Sequence, residues 1–188
     1  SATVYGNPAY LPLDEKHSTD ALNPYGQTKL HIEQMLCYQG VSDPDWRISI
    51  LRYFNPVGAH ESGLIGENPI GKPNNLMPYI SKVAAKTLPL LYIFGNDYDT
   101  QDGTGVRDYL HVMDLADGHL AAVRELKKRS SSYEIFNLGT GLGTSVTQLV
   151  NIFKETNNVD MPVSISSRRS GDVSSCYADA SKANHVLG

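Results

Sequence analysis

No stretch of this sequence is apolar over the ~20 residues that a membrane-crossing helix requires, and its start lacks the charged-then-apolar form of a signal peptide. Long basic runs are missing as well. The longest is Lys127, Lys128 and Arg129 in a chain of net charge −4, which argues against nucleic acid or a membrane surface as partner. Cysteine is scarce. Cys37 and Cys176 stand far apart with no C-x-x-C, so neither a disulfide framework nor a zinc ribbon is expected, and a reducing, cytoplasmic setting fits best. The six histidines are scattered without metal-ligand spacing, so no metal site is expected. A dinucleotide fingerprint is also wanting: in "GTGLGT", G-x-G-x-x-G would need glycine where Thr144 stands. What remains there is a candidate phosphate-approach loop at a helix N-terminus.

At 188 residues the chain can enclose one sizeable core. Strand and helix patterns largely alternate, which implies an α/β fold. A helix is expected from the Asn23-Pro24 entrance to about Gln39, with Leu30, Ile32, Met35 and Leu36 as its apolar face. "WRISILRYFN" reads as a buried strand ending at Asn55-Pro56, and the Gly/Pro/Asn loop over 56–74 is too long for a simple connector. "NLMPYISKVAAK" reads as a helix capped by Asn74 or Asn75. "LLYIFG" and "VRDYLHV" read as short strands around the polar turn "NDYDTQDGTG". That turn mimics a calcium loop, but a frame opening at Asp97 puts Asp102 where the sharp turn needs glycine. "MDLADGHLAAVRELKK" is an amphipathic helix, "SYEIFNLGTG" a strand, and "SVTQLVNIFKET" a helix that Thr144 or Ser145 could cap. Opening on Ser1, at what would be the carboxyl end of a strand, and closing on a helix just ending, the chain is expected to be a segment of a longer protein.

Tyr25 and Lys29 stand four residues apart at the start of the first helix, and so share a face. A cation beside the phenol favours phenolate, and a tyrosine lowered from its usual pH ~10 toward neutrality would serve as a general base. In a chain with 11 tyrosines such a pair also arises by chance, so the rest of the sequence must build a site around it.

Ser1, Tyr25 and Lys29, in that order, resemble the catalytic set of the short-chain dehydrogenase/reductases. "SATVYG", "NPYGQTK", "LRYFNPVGAH", "NNLMPYI", "FGNDYDTQDGTGVRDYLHVMDLADGH" and "NLGTG" together resemble the UDP-galactose 4-epimerase (UDP-glucose 4-epimerase) family, an extended branch of that superfamily. The resemblance runs the length of the chain. It implies the last part of a Rossmann-type parallel sheet over residues 1–60, with later strand and helix returns, followed by most of a smaller α/β substrate-binding domain over 61–188. The upstream NAD fingerprint of the family is missing, as are its final helices.

The activity so implied is NAD-dependent, reversible inversion at C4 of UDP-galactose and UDP-glucose through a 4-keto sugar. Tyr25 would be the base, Lys29 would lower its pKa and reach the nicotinamide ribose, and Ser1 would bond the 4-oxygen. Tyr53 and Phe54 would lie near nicotinamide. Asn55, Asn75 and Leu76 would contact the sugar nucleotide, Tyr92 and Phe94 would line a uracil pocket, Arg107 and Arg169 would clamp the pyrophosphate, and Asp172 would accept from ribose. Cys176 stands where a tyrosine resembles the forms restricted to plain hexoses, and a smaller residue leaves room for an N-acetyl group. A homodimer is implied for the full-length protein. Dehydratases of the superfamily place an Asp-Glu pair beside the serine position, whereas Ala2-Thr3 stands here. The alternative from another class is a non-catalytic piece that binds a UDP-sugar or forms a dimer surface.

Overall fold

The computed structural model describes residues 1–188. A short 3-10 turn, Ala2–Val4, leads through a loop to α1 (Pro24–Ser42). Asn23 caps α1 by accepting from the Gly26 amide at 2.8 Å, with Pro24 in the first turn, where a missing N–H costs nothing. The face of α1 that turns inward differs from expectation. Gly26, Leu30, Glu33 and Gly40 are buried at steps of four, three and seven residues, while Ile32 and Met35 face solvent. The reason is Glu33, which meets the buried Arg52 guanidinium, its Oε2 accepting from Nε at 3.0 Å. Paired in this way, two charges can occupy a core position that sequence periodicity assigns to an apolar residue.

The segment expected as one strand is two. β1 (Ile48–Tyr53) is followed across Phe54 by β2 (Asn55–Val57), which has its own partner. α2 (Leu76–Ala84), β3 (Leu91–Phe94), β4 (Val106–Arg107), β5 (Tyr109–His111), α3 (Val112–Leu126) and β6 (Tyr133–Leu138) follow in order. Then come β7 (Thr144–Ser145), α4 (Val146–Asn157), β8 (Val163–Ser166), β9 (Ser175–Cys176) and α5 (Ser181–Val186). β1 pairs with β6, β2 with β5 and β3 with β8, all parallel, while β4 is flanked by antiparallel β7 and parallel β9. Ser1 caps the 3-10 turn, and its amino group donates to the Leu51 carbonyl of β1 at 3.2 Å.

"VRDYLHV" breaks at Asp108, which separates β4 from β5. Its fully buried carboxylate accepts from the amides of Thr140, Gly141 and Ala178 at 2.8, 3.0 and 3.1 Å and from the Thr140 hydroxyl at 2.7 Å. Those bonds overturn the phosphate-approach reading of "GTGLGT", because the loop amides already hold an anion belonging to the chain. The amides that open α4 are taken too: Val146 donates to the Gly105 carbonyl, Thr147 to Thr104 Oγ1 and Gln148 to Ser145 Oγ. Ser145, not Thr144, caps this helix, in a reciprocal capping box with Gln148. Asp102 of the calcium-like turn is likewise engaged, by Thr104 and by the Ser145 hydroxyl.

Three apolar clusters support these elements. One joins Ala2, Val4, Tyr5, Leu30 and Phe54 beneath the N-terminal turn. A second, with Leu110, Leu115, Phe136 and Leu138, lies between α3 and the β1/β6 pair. The third is built from α2, β3 and α4 around Ile80, Leu91 and Val150.

Candidate active site

Two cavities, of about 230 and 360 Å³, run into one another, and the residues they share are Asn55, Pro56, Asn75, Arg107 and Asp172. Every residue singled out from the sequence lines one or both of them except Lys29. Ser1, Tyr25, Tyr53, Phe54 and Cys176 belong to the larger; Leu76, Tyr92, Phe94 and Arg169 belong to the smaller. They come from separate elements: the N-terminal turn, α1, the end of β1, the start of α2, β3, β4, the segment after β8, and β9. The carboxyl end of the parallel strand β1 opens into the larger cavity, the usual ligand position in open α/β sheets.

Tyr25 is exposed and lies in the first turn of α1, where it faces the cavity that also contains Ser1. Lys29 stacks as the helix spacing requires, with its ammonium 5.2 Å from the centre of the Tyr25 ring, although it lines neither cavity. Phe54 carries a structural role in addition to its place in the cavity wall: it is buried among Ala2, Val4 and Tyr5. Tyr53 is half-buried, with its ring 6.0 Å from His119.

The smaller cavity has aromatic walls and two guanidinium groups. Arg107 donates to the Val106 carbonyl at 2.8 Å, Arg169 donates to the Asn74 carbonyl at 3.3 Å, and neither pairs with a carboxylate. Two unneutralised cations facing one cavity favour an anionic ligand, and guanidinium groups suit phosphate oxygens in particular. Arg169 also covers the Phe94 ring, its guanidinium carbon 4.0 Å from the ring centre. Asn75 begins α2 without capping it; its side-chain amide donates to Glu67 at 2.6 Å and ties the long loop to the cavity rim.

Cys176 is the register partner of Arg107 in the β4/β9 pair. Burial pushes its thiol up to about 11, against a downward pull from Arg107 and a small upward push from Asp108. Among residues not anticipated, Tyr109 lines the smaller cavity, and burial pushes its phenol up to about 12 while Arg107 pulls it back. Its neighbour Arg107 in "GVRDYLHV" was the available signal. Tyr79 and Tyr98 also line this cavity, and nothing in their local spacing marks them as other than core aromatics.

A family model described as "NAD dependent epimerase/dehydratase family" matches residues 1–139. The chain belongs to that family. Within the epimerase/dehydratase family it is similar to human UDP-glucose 4-epimerase, at 55% identity over 189 residues that cover 100% of this chain and 54% of the relative. A crystal structure of UDP-glucose 4-epimerase from Bifidobacterium longum in complex with NAD+ and UDP superposes with a TM-score of 0.96 at 51% identity, covering 100% of this chain and 56% of that one. The UDP-Glc/GlcNAc 4-epimerase of Campylobacter jejuni gives a TM-score of 0.76 at 36% identity, covering 98% of this chain and 55% of that one. The chain thus spans about half the length of the relatives it matches.

Proposed function

We propose that the protein carrying this chain is a UDP-glucose 4-epimerase, which interconverts UDP-galactose and UDP-glucose in galactose metabolism and uses NAD as its cofactor. In this reading residues 1–60 complete the nicotinamide end of the cofactor domain and 61–188 form most of the UDP-sugar domain. The observation that carries it is the confluence of the two cavities, one holding a serine hydroxyl and a phenol, the other two free guanidinium groups and aromatic walls. A nucleotide sugar has the matching polarity, with an anionic diphosphate and a flat base at one end and a hexose of hydroxyls at the other.

Tyr53 and Phe54 line the larger cavity at the carboxyl end of β1, and a planar aromatic wall there fits a nicotinamide ring. NAD, when bound, supplies the acceptor for the hydride that leaves C4 and returns it to the opposite face. Tyr25 takes the proton of the 4-hydroxyl and gives it back after the ketone has turned over. Ser1 bonds the 4-oxygen, and Lys29, stacked on the Tyr25 ring, supplies positive charge beside the base. Arg107 and Arg169 hold the diphosphate, Asp172 a ribose hydroxyl, Tyr92 and Phe94 the uracil, and Asn55, Asn75 and Leu76 the sugar nucleotide between them. Firm anchoring at the nucleotide leaves the hexose free to present either face.

Cys176 lines the larger cavity with a small side chain, which supports acceptance of the N-acetylated pair UDP-GlcNAc and UDP-GalNAc as well. A homodimer through α1 is supported by its exposed Ile32, Met35, Tyr38 and Val41, and a cytoplasmic setting by the two unpaired cysteines. The test is conversion of UDP-galactose to UDP-glucose by the full-length protein, with Tyr25→Phe alongside. Turnover that drops by at least about 100-fold in the variant is expected; no turnover by folded, NAD-loaded wild type would refute the reading.

A further inference from the structure

Gly26 follows Tyr25 within the first turn of α1 and is buried. Its φ lies in the ordinary negative range, so conformational freedom does not explain a glycine there, and glycine is a poor helix former. Space does explain it. A Cβ at position 26 would stand 2.8 Å from Ala21 Cβ and 3.1 Å from both the carbonyl oxygen and the hydroxyl oxygen of Thr3. α1 and the turn that carries Ser1 therefore touch backbone to backbone at this residue.

Neither neighbour can easily withdraw. Thr3 lies between Ala2 and Val4, both buried in the cluster beneath the turn. Two residues on, Tyr5 is 1% exposed and donates to Asn137 Oδ1 at 2.6 Å. Its ring packs against the Arg52 guanidinium, whose carbon is 4.8 Å from the ring centre. Ala21 is buried as well. An added methyl must therefore move the helix rather than the turn. The contact with Ala21 would have to open from 2.8 Å to at least the 3.4 Å of ordinary packing.

We propose that Gly26 is a positioning residue: its missing side chain lets the Ser1 turn and the Tyr25 helix close on each other, so that hydroxyl and phenol can meet at one sugar oxygen. This rests on the epimerase reading above. Tyr25 is the preceding residue and Lys29 lies within the next turn, so a displaced helix carries both away from Ser1. A misplacement approaching 1 Å costs about 100-fold in rate. Arg107 and Arg169 sit on β4 and the segment after β8, neither of which touches Gly26, so anchoring of the nucleotide should survive.

In the full-length protein, Gly26→Ala is expected to lower kcat by about 10- to 100-fold while KM for UDP-galactose stays within about 3-fold. Its melting temperature should fall only modestly, because the better helix preference of alanine offsets part of the overpacking. Ala21→Gly combined with Gly26→Ala removes the nearest contact and should restore at least about 5-fold of the lost kcat. A Gly26→Ala enzyme with kcat within about 2-fold of wild type would overturn the inference. So would a strongly lowered melting temperature with no recovery in the double variant, which would make Gly26 a fold residue only. Absence of turnover in wild type would refute the epimerase reading itself and this inference with it.

Discussion

Replacing Asp108 by asparagine changes one buried oxygen into an NH2 group and leaves the size of the side chain unaltered. In the native structure Oδ1 accepts from the Thr140 amide and hydroxyl, and Oδ2 accepts from the Gly141 and Ala178 amides. With its NH2 toward Gly141 and Ala178 the new amide strands both of their N–H groups; turned toward Thr140 it strands one, since the Thr140 hydroxyl can rotate to accept. Asp108 is 0% exposed, so water is not at hand as a substitute acceptor. A stranded donor costs about 1–3 kcal/mol, and the better orientation strands one, which makes the expected loss of stability about 1–3 kcal/mol. Urea unfolding of the full-length protein followed by circular dichroism reads this directly. At slopes of about 1–3 kcal/mol/M, the midpoint should fall by roughly 1 M. UDP affinity should fall with it, since Arg107 and Tyr109 flank Asp108 and Cys176 precedes Ala178 by two residues. A midpoint within about 0.3 M of wild type would refute the assignment of Asp108 as the acceptor on which the glycine loop and β9 converge.

Three further outcomes concern Cys176. With its thiol pushed up to about 11 by burial, the residue should be alkylated at pH 8 about 100-fold more slowly than a free thiol of ordinary pKa ~8.5. Its folded pKa exceeds the unfolded value, so its contribution to stability is complete below pH ~8.5 and is lost as pH climbs toward about 11. Rapid iodoacetamide labelling of native protein at Cys176, followed by peptide mass spectrometry, would contradict the burial described. Cys176→Tyr should abolish turnover of UDP-GalNAc while sparing UDP-galactose to within about 3-fold; an unchanged UDP-GalNAc rate would end the size argument.

Elements that short-range chemistry controls are legible from the residues alone. Asn23-Pro24 marks the start of α1, Thr144-Ser145 marks the start of α4, and the β-branched run at Ile48–Tyr53 marks the longest strand pairing in the fold. The sequence also carried the motif residues that line the two cavities, because each sits in a short stretch with a recognisable pattern. What it could not decide depends on partners far along the chain. β4 is two residues long and exists as a strand only because Thr144–Ser145 and Ser175–Cys176 lie on either side of it. Glu33 turns inward because Arg52 waits there, which leaves Ile32 and Met35 outside against their hydropathy. The amides of "GTGLGT" look free for a phosphate until Asp108, more than thirty residues upstream, takes them. Gly26 reads as a weakness in a helix until Thr3 and Ala21 are seen against it. Capping acts over three or four residues and needs no distant partner, whereas buried charge pairs, two-residue strands and close backbone contacts gain their energy only from the fold that brings the two halves together.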